Sequence, residues 1–211
     1  MKIWQYLLVS SSLLTMTLSA AASDNYRFRV FLDDREIGYH NFNVSDEGKR
    51  VDIEAEFQVK FLFITAYRYR HLNQEVWDAG CVTRISSETD VNGRFYFVLG
   101  ELSDNGLMVS RAKDETSQEA LLPECSMTFA YWDPRLLEQN QLLNAQTGEL
   151  TNIEVIEKIP ETILVRGVRE QVTRYRLKAG KLEIYLWYTR NQEWVGLMSD
   201  LNGRQLRYEL I

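Results

Sequence analysis

The side chains of this chain that could take part in catalysis are few, and its two histidines come first among them. His71 and Glu75 have the same parity on a predicted strand, and with Tyr69 they could form an acid/base cluster. The alternative is that His71 is a hydrogen-bonded strand residue, and we favour it because no nucleophile is placed beside the imidazole. His40 and His71 also lack the spacing of metal ligands, so the sequence predicts no catalytic residue, no metal and no cofactor.

The two cysteines, Cys81 and Cys125, are the second chemical feature. In an exported protein an even number of cysteines is compatible with a disulfide, which would contribute about 3–4 kcal/mol by closing a loop of this length. The alternative is two separate buried thiols that pack as small hydrophobic side chains. Both alternatives stay open at the level of sequence. A redox-catalytic role is not indicated, because the sequence has no C-x-x-C motif.

The elements that would position these residues are strands, and residues 51–71 indicate this best. Most odd positions in this stretch are apolar, and the even positions outside 62–66 are polar, which is the period-two alternation of a β-strand. At about 3.3 Å per residue the stretch would be about 70 Å long, which is too long for one strand. The chain must therefore turn or bend near its middle.

A hairpin with an odd-numbered loop would keep these apolar side chains on one face, with Leu62-Phe63-Ile64 as its tip. The competing interpretation is one bent strand at a barrel corner, because a tip without Gly, Asn, Asp or Pro has unusual turn chemistry. The cross-strand pairs that the hairpin predicts are Val59 with Tyr67, Phe57 with Tyr69, Ala55 with His71, Gln58 with Arg68 and Glu56 with Arg70.

The first 22 residues have the features of a secretory signal peptide. Lys2 supplies a positive charge, a mostly apolar run to Leu18 follows, and Ala20-Ala21-Ala22 offers a cleavage site before Ser23. No later stretch reaches the roughly 18 apolar residues of a membrane-spanning helix. The net charge of −6 argues against a nucleic-acid partner. We therefore expect a periplasmic protein without a transmembrane span in its mature chain.

Residues 23–211 predict a single all-β domain. Hairpin turns such as Asn92-Gly93 separate about a dozen short strands, which include one near residues 151–156 and another near residues 162–168. Asp133 as N-cap and Pro134 at the first helical position predict one short α-helix, which continues to Leu143. The predicted fold is a strongly curved antiparallel sheet, or open β-barrel meander, with one short α-helix.

Short motifs of turn residues and aromatic residues occur along the chain: Leu32-Asp33-x-x-x-Ile37-Gly38, Tyr67-x-Tyr69-x-His71, Glu75-x-Trp77, Thr89-x-x-Asn92-Gly93, Trp132-Asp133-Pro134, Asn144-x-Gln146-Thr147-Gly148, Trp187-Tyr188 and Trp194-Val195-Gly196. They resemble a family of exported bacterial proteins known as domain-of-unknown-function family 6134, over most of the mature chain. The strand order is also distantly similar to periplasmic half-barrels of the lipoprotein-carrier type. Neither resemblance brings an established catalytic residue.

Aromatic side chains are abundant, and several strands carry bulky groups on both faces. A large filled core accounts for most of them, whereas an incompletely filled barrel would bind an apolar ligand on its concave face. The leading prediction is an exported β-barrel-like protein that binds an apolar or lipid-like molecule in the cell envelope. The predicted ligand-binding residues are Phe57, Phe61, Tyr67, Tyr69, His71, Trp77, Trp132, Trp187 and Trp194.

Two other function classes remain beside ligand binding. An envelope interaction or assembly factor would have a filled core and would contact a protein partner through an exposed apolar patch or an open sheet edge. A hydrolase using the cluster around His71 would need convergent polar groups with shifted pKa values in a cleft, and it is the least supported class.

Overall fold

The computed structural model describes residues 24–45, 49–61, 64–114, 116–201 and 203–211. The predicted signal peptide, residues 1–22, and the predicted tip residues Leu62 and Phe63 lie outside this part of the chain. The side chains of Phe61 and Ile64 lie outside it as well.

Fourteen strands of the described chain form one sheet. The first eight are β1 (Asp24–Leu32), β2 (Arg35–Ser45), β3 (Arg50–Phe61), β4 (Ile64–Asp78), β5 (Cys81–Val91), β6 (Arg94–Ser103), β7 (Gly106–Lys113) and β8 (Thr116–Leu122). After a 3-10 helix (Pro134–Glu138), the other six are β9 (Gln141–Leu143), β10 (Leu150–Val165), β11 (Val168–Ala179), β12 (Leu182–Thr189), β13 (Trp194–Leu201) and β14 (Arg204–Leu210).

Two meanders joined side by side make up this sheet. In spatial order β8 to β1 follow one another, then comes β14, and β13 to β9 complete the sheet. β1 pairs with β14 in antiparallel register, from Phe28 opposite Leu210 to Leu32 opposite Leu206. The sheet is not closed, and β8 and β9 are its edges within the described chain. The predicted open antiparallel all-β architecture is thereby confirmed.

The hairpin of β3 and β4 has the register that its parity predicts. Val59 lies opposite Tyr67 and Phe57 opposite Tyr69, and the other three predicted pairs are present as well. The parity is kept by a β-bulge between Val59 and Lys60, however, and not by an odd-numbered loop. Ile64 is consequently a strand residue opposite Phe61 and does not belong to the tip.

The predicted α-helix is wrong in type and length. Asp133 is the N-cap, and its carboxylate accepts a hydrogen bond from the backbone N–H of Arg135, as predicted. The helix is a five-residue 3-10 helix that ends before Gln139, and residues 141–143 form β9 instead. The reason is that β9 pairs with residues 150–152 of β10, so residues 141–143 join the sheet and do not continue the helix.

Residues 151–156 and 162–168, which the sequence divides into two strands, belong mostly to one strand of 16 residues, β10. A bulge between Val155 and Glu157 bends it. Pro160 does not interrupt the strand. Beyond Asn152, β10 pairs only with β11 among the described strands, so this part of β10 is an edge. An edge strand tolerates a residue that has no backbone N–H.

Residues 123–149, which we call the crossing segment, cover one face of the sheet, its inner face. Their apolar side chains are part of the core, as the full burial of Ala130, Leu136 and Leu142 indicates. A disulfide between Cys81 and Cys125 attaches the start of the segment to β5. Further along, the Ser87 hydroxyl donates to the Ala145 carbonyl, and the Tyr188 hydroxyl donates to the Tyr131 carbonyl at 2.8 Å. The segment is therefore anchored to both meanders.

Candidate functional site

A cavity of about 450 Å³ lies on the inner face beneath the crossing segment. One wall comes from β2, β3 and β4 of the first meander, and the opposite wall comes from β11 and β12 of the second. The volume is within the usual range of small-molecule pockets. Its lining residues are His40, Phe42, Ile53, Tyr69, His71, Asn73, Glu75, Thr128, Phe129, Tyr131, Asn144, Ala145, Gln146, Thr151, Ala179, Gly180, Lys181, Leu182, Ile184 and Tyr208.

The polar wall of this cavity is one face of β4. Because side chains alternate along a strand, Tyr69, His71, Asn73 and Glu75 all point to the same side. The parity that organises residues 51–71 thus continues beyond the hairpin and brings four hydrogen-bonding side chains into a column.

The two histidines lie in one row across neighbouring strands. His40 of β2 is opposite Ala55 of β3, and Ala55 is in turn opposite His71 of β4. With strands about 4.8 Å apart, the Cα atoms of the two histidines are separated by about 10 Å.

Burial keeps both imidazoles uncharged. It lowers the pKa of His40 to about 3 and the pKa of His71 to about 4, and the mutual repulsion of two imidazolium ions adds to the shift at His40. His40 Nδ1 lies 3.2 Å from the Tyr208 hydroxyl, and His71 Nδ1 lies 2.7 Å from the Thr89 hydroxyl. His71 is therefore a hydrogen-bonded strand residue, the alternative favoured from sequence.

Glu75 is a deeply buried carboxyl group at the end of the β4 column, with only 2% of its surface exposed. Asn73 Nδ2 donates to Oε1 at 2.8 Å, while Trp77 Nε1 and the Thr128 hydroxyl donate to Oε2 at 2.9 and 3.2 Å. Burial raises the pKa of Glu75, and the three hydrogen bonds oppose that shift. All three donors are uncharged.

Two buried atoms of the lining residues have no hydrogen-bond partner within the protein. They are His40 Nε2 and Asn73 Oδ1. An unpaired buried polar atom costs about 1–3 kcal/mol, so most such atoms in proteins have a partner. Both atoms are therefore available to a hydrogen-bonding partner from outside the protein.

The wall opposite the β4 column is apolar, and Ala179, Leu182 and Ile184 of the second meander form it. Two further apolar residues lie beside the polar side chains, since Ile53 is opposite Asn73 and Phe42 stacks on His40. The exposed Lys181, in the turn between β11 and β12, also lines the cavity. The chamber thus has a polar column, an apolar wall and one exposed cation.

The predicted ligand-binding residues divide into two groups. Tyr69 and His71 line the cavity. Phe57 supports it from the side, because its ring stacks on Tyr69 with centroids 5.1 Å apart. Trp77 supports it by its hydrogen bond to Glu75, and Trp132 packs edge-on against Trp77 at 5.5 Å.

The other predicted residues do not line this cavity. Trp194 is fully buried in the core, where its ring contacts Phe28. Trp187 is on the opposite face of the sheet and donates a hydrogen bond to Glu161, because Leu186 and Tyr188 take the inner-face positions of β12. Tyr67 is half-buried outside the lining. Phe61 remains a prediction, since its side chain lies outside the described part.

Several lining residues were not predicted from sequence. Asn73 could have been found, because it continues the parity of β4, and Glu75 was considered only as part of an acid/base cluster with His71. Thr128 and Tyr208 carry no local signal, since their places depend on the crossing segment and on the pairing of β1 with β14. His40 was considered only as a metal ligand, and no cluster of three potential metal ligands occurs among the described residues.

A larger groove of about 1,040 Å³ runs across the opposite face of β1–β6. Its polar side chains pair with one another, as Gln74 does with Asp52 at 2.9 Å and Tyr39 with Glu54 at 2.8 Å. Asn73 borders this groove as well, but His40, with its unpartnered Nε2, and the buried carboxyl group of Glu75 line the inner-face cavity and not this groove. We therefore take the inner-face cavity as the candidate site.

Comparison with known proteins places this geometry in a family. The model of the domain of unknown function DUF6134 matches residues 28–211. The chain belongs to this family. No curated protein matches the DUF6134 chain in sequence. Within the described residues, no helix combines the length and the apolar character required to cross a bilayer.

A solved structure shares the fold of this DUF6134 chain. It is a β-barrel-like protein of the domain of unknown function DUF1849 from Brucella abortus, with a TM-score of 0.63. The match covers 90% of this chain and 95% of the other at 14% sequence identity. At that identity the likeness establishes the β-barrel-like fold and nothing about activity.

Proposed function

We propose that this DUF6134 protein is an exported binding protein that holds a small amphipathic, lipid-like molecule in the inner-face cavity. The observation that carries the proposal is the pair of unpartnered buried atoms, His40 Nε2 and Asn73 Oδ1, at a cavity whose far wall is apolar. A molecule with an apolar body and a hydrogen-bonding head would satisfy both ends of the chamber.

The unpartnered atoms restrict the head group. Asn73 Nδ2 donates a hydrogen bond to Glu75, so the free atom of this amide, Oδ1, is an acceptor. A ligand that pairs with it must supply a hydrogen-bond donor. His40 Nε2 carries a proton if the Tyr208 hydroxyl donates to Nδ1, and it accepts a proton in the other tautomer. A hydroxyl or amino group meets the first requirement and adapts to the second.

Export to the periplasm belongs to the same proposal. It is supported by the signal-peptide pattern of residues 1–22 and by the Cys81–Cys125 disulfide, a bond typical of oxidising compartments. Sequencing the N-terminus of protein recovered from the periplasm should give a start near Ser23, and retention of Leu13-Leu14 would contradict export.

Native mass spectrometry of protein purified from its own cell envelope tests binding directly. We expect a small-molecule adduct on the wild-type chain and its loss in Ala145→Trp, which fills the cavity from the crossing segment. Ala112→Trp is the matched control, because Ala112 lies on β7 opposite the exposed Phe97 and outside the cavity lining. Wild-type protein without any adduct, or an adduct that survives Ala145→Trp, would contradict the proposal.

An envelope interaction factor is the second candidate, and the β8 edge favours it. Leu99, Met108 and Leu121 are exposed on β6, β7 and β8, so an apolar patch adjoins an edge strand without a described partner. A photo-crosslinker at Leu121 should then give one discrete protein adduct in cells. The same crosslinker at Leu164, which is exposed on β10, is the control.

A further inference from the structure

We infer that the ligand of the inner-face cavity has a positively charged head group, which Glu75 and Asn73 hold. The inference rests on the proposed binding function and adds the chemical class of the molecule. It depends on three features of the chamber, which are the surplus of acceptors, the distribution of charge and the character of the walls.

The polar end of the cavity has more acceptors than donors. A carboxylate offers about four lone-pair directions, and the protein supplies Glu75 with three donors, from Asn73, Trp77 and Thr128. Asn73 Oδ1, next to that carboxylate on the same strand face, has no donor at all. An ammonium group supplies up to three N–H donors and no acceptor, which is the complement of this end.

The distribution of charged side chains around the cavity also favours a cationic ligand. Lys181 is the only lysine or arginine among the lining residues, and it is exposed in the β11–β12 turn. The two imidazoles are buried and neutral, so they do not compensate Glu75. A buried carboxylate whose donors are all uncharged gains most from a cation, because opposite charges attract strongly away from water.

The aromatic walls of the chamber suit a cationic ligand as well. Tyr69, Tyr131 and Tyr208 line the chamber, and the faces of aromatic rings attract cations. Burial raises the pKa of all three phenols, so they remain neutral walls at any physiological pH. The apolar wall formed by Ala179, Leu182 and Ile184 then accommodates the body of the molecule.

Three probes with one alkyl chain and different heads test the inference: octylammonium, octanol and octanoate, titrated calorimetrically into the purified protein. We expect octylammonium to bind at least about tenfold more tightly than octanol, because charged hydrogen bonds are stronger than neutral ones. Octanoate should bind most weakly. Ala145→Trp should abolish the binding of both octylammonium and octanol, which separates the cavity from the acidic outer groove.

Glu75→Gln assigns the preference to one carboxylate. The ratio of the two affinities should fall to about one in this variant, with octanol binding retained. The matched control is Glu154→Gln, an exposed position of β10 outside the cavity lining, which should keep the wild-type ratio. A ratio that persists in Glu75→Gln would overturn the role of Glu75. If this variant does not fold, the wild-type ranking and its loss in Ala145→Trp decide.

The outcomes for the two proposals differ. Octanol binding as tightly as octylammonium to the wild-type protein would overturn the cationic head group and leave the binding function standing. Binding of none of the three probes would contradict the binding function itself, and the inference with it.

Discussion

The two imidazoles respond most directly to the solution around the protein. An unfolded histidine has a pKa near 6.5, whereas burial lowers the folded values to about 3 for His40 and about 4 for His71. Between those limits the unfolded chain binds more protons than the folded one, so the free energy of unfolding falls as the pH drops below 6.5. Well above that pH the imidazoles are neutral in both the folded and the unfolded chain, so the full free energy of unfolding is present.

The first prediction is that acid lowers the free energy of unfolding and that His40 and His71 are the cause. Between pH 7.5 and pH 5, each imidazole should cost about 2 kcal/mol of unfolding free energy. Urea titrations of the wild type and of His71→Gln at both pH values measure the contribution of His71 as a difference. The raised pKa of Glu75 acts with the opposite sign, because its folded form takes up the proton more readily, and that effect is common to both proteins. An equal loss in both proteins would contradict the prediction.

Gly38 is a second residue with a large expected effect. Its φ is +152°, and a β-carbon at this position would lie 1.8 Å from the Glu56 carbonyl oxygen on the neighbouring strand. Gly38→Ala should therefore destabilise the protein by about 3 kcal/mol or more in urea. Gly93→Ala is the matched control, because Gly93 also has a positive φ but nothing lies within 4 Å of the added carbon. The control should lose only about 1 kcal/mol, and equal losses would show that the close strand approach does not matter.

At the scale of elements, the disulfide holds the crossing segment to β5. Cys81 and Cys125 are 44 residues apart, so the bond restricts the unfolded chain considerably. Replacing both cysteines by serine should lower the unfolding free energy by about 3–4 kcal/mol. Reductant should destabilise the wild type to the same extent and leave the serine variant unchanged. If reduction leaves both the intact mass and the urea midpoint of the wild type unaltered, the bond does not form in the native protein.

What the sequence predicts at this scale depends on the range of the interactions involved. The register of β3 and β4 could be predicted because alternation within one hairpin determines which side chains share a face. The fate of residues 139–143 could not, because the strand that pairs with β9 begins only at Leu150 and no local pattern indicates it. The continuity of β10 through Pro160 could not be predicted for a similar reason. A strand tolerates proline at this position only if it is an edge strand, and the local sequence does not reveal that.

For the whole molecule, the contact of β1 with β14 joins the two meanders. Phe28 is fully buried there, with its ring 4.2 Å from Trp194 and 5.9 Å from Tyr208. Phe28→Ala should cost about 3–5 kcal/mol and keep one cooperative transition, because a single sheet loses packing at its centre. The exposed Phe97 is the control, and Phe97→Ala should cost less than about 1 kcal/mol. Two separate transitions would mean that the meanders unfold independently.

Only part of the candidate site could be predicted from the sequence, because most of it depends on contacts between distant parts of the chain. One wall follows from the parity of β4, so Tyr69 and His71 were predicted as ligand-binding residues from sequence. The rest comes from β2, β12, β14 and the crossing segment, which meet only after the sheet has curved and β1 has paired with β14. Aromatic content alone pointed equally to Trp187 and Trp194, because composition does not distinguish the inner face from the core or from the opposite face.

The pairing of β1 with β14 also means that β1 must wait for its partner during synthesis of the chain. About 170 residues separate the end of β1 from the start of β14, so at bacterial and eukaryotic translation rates of about 5–20 residues per second the partner of β1 emerges roughly 10–35 s later. During that interval β1 can pair with β2, but its other edge has no partner at what will become the middle of the sheet. Chains that stop before residue 204 should accordingly depend on chaperones in the compartment where the protein folds, whereas the full-length chain should not.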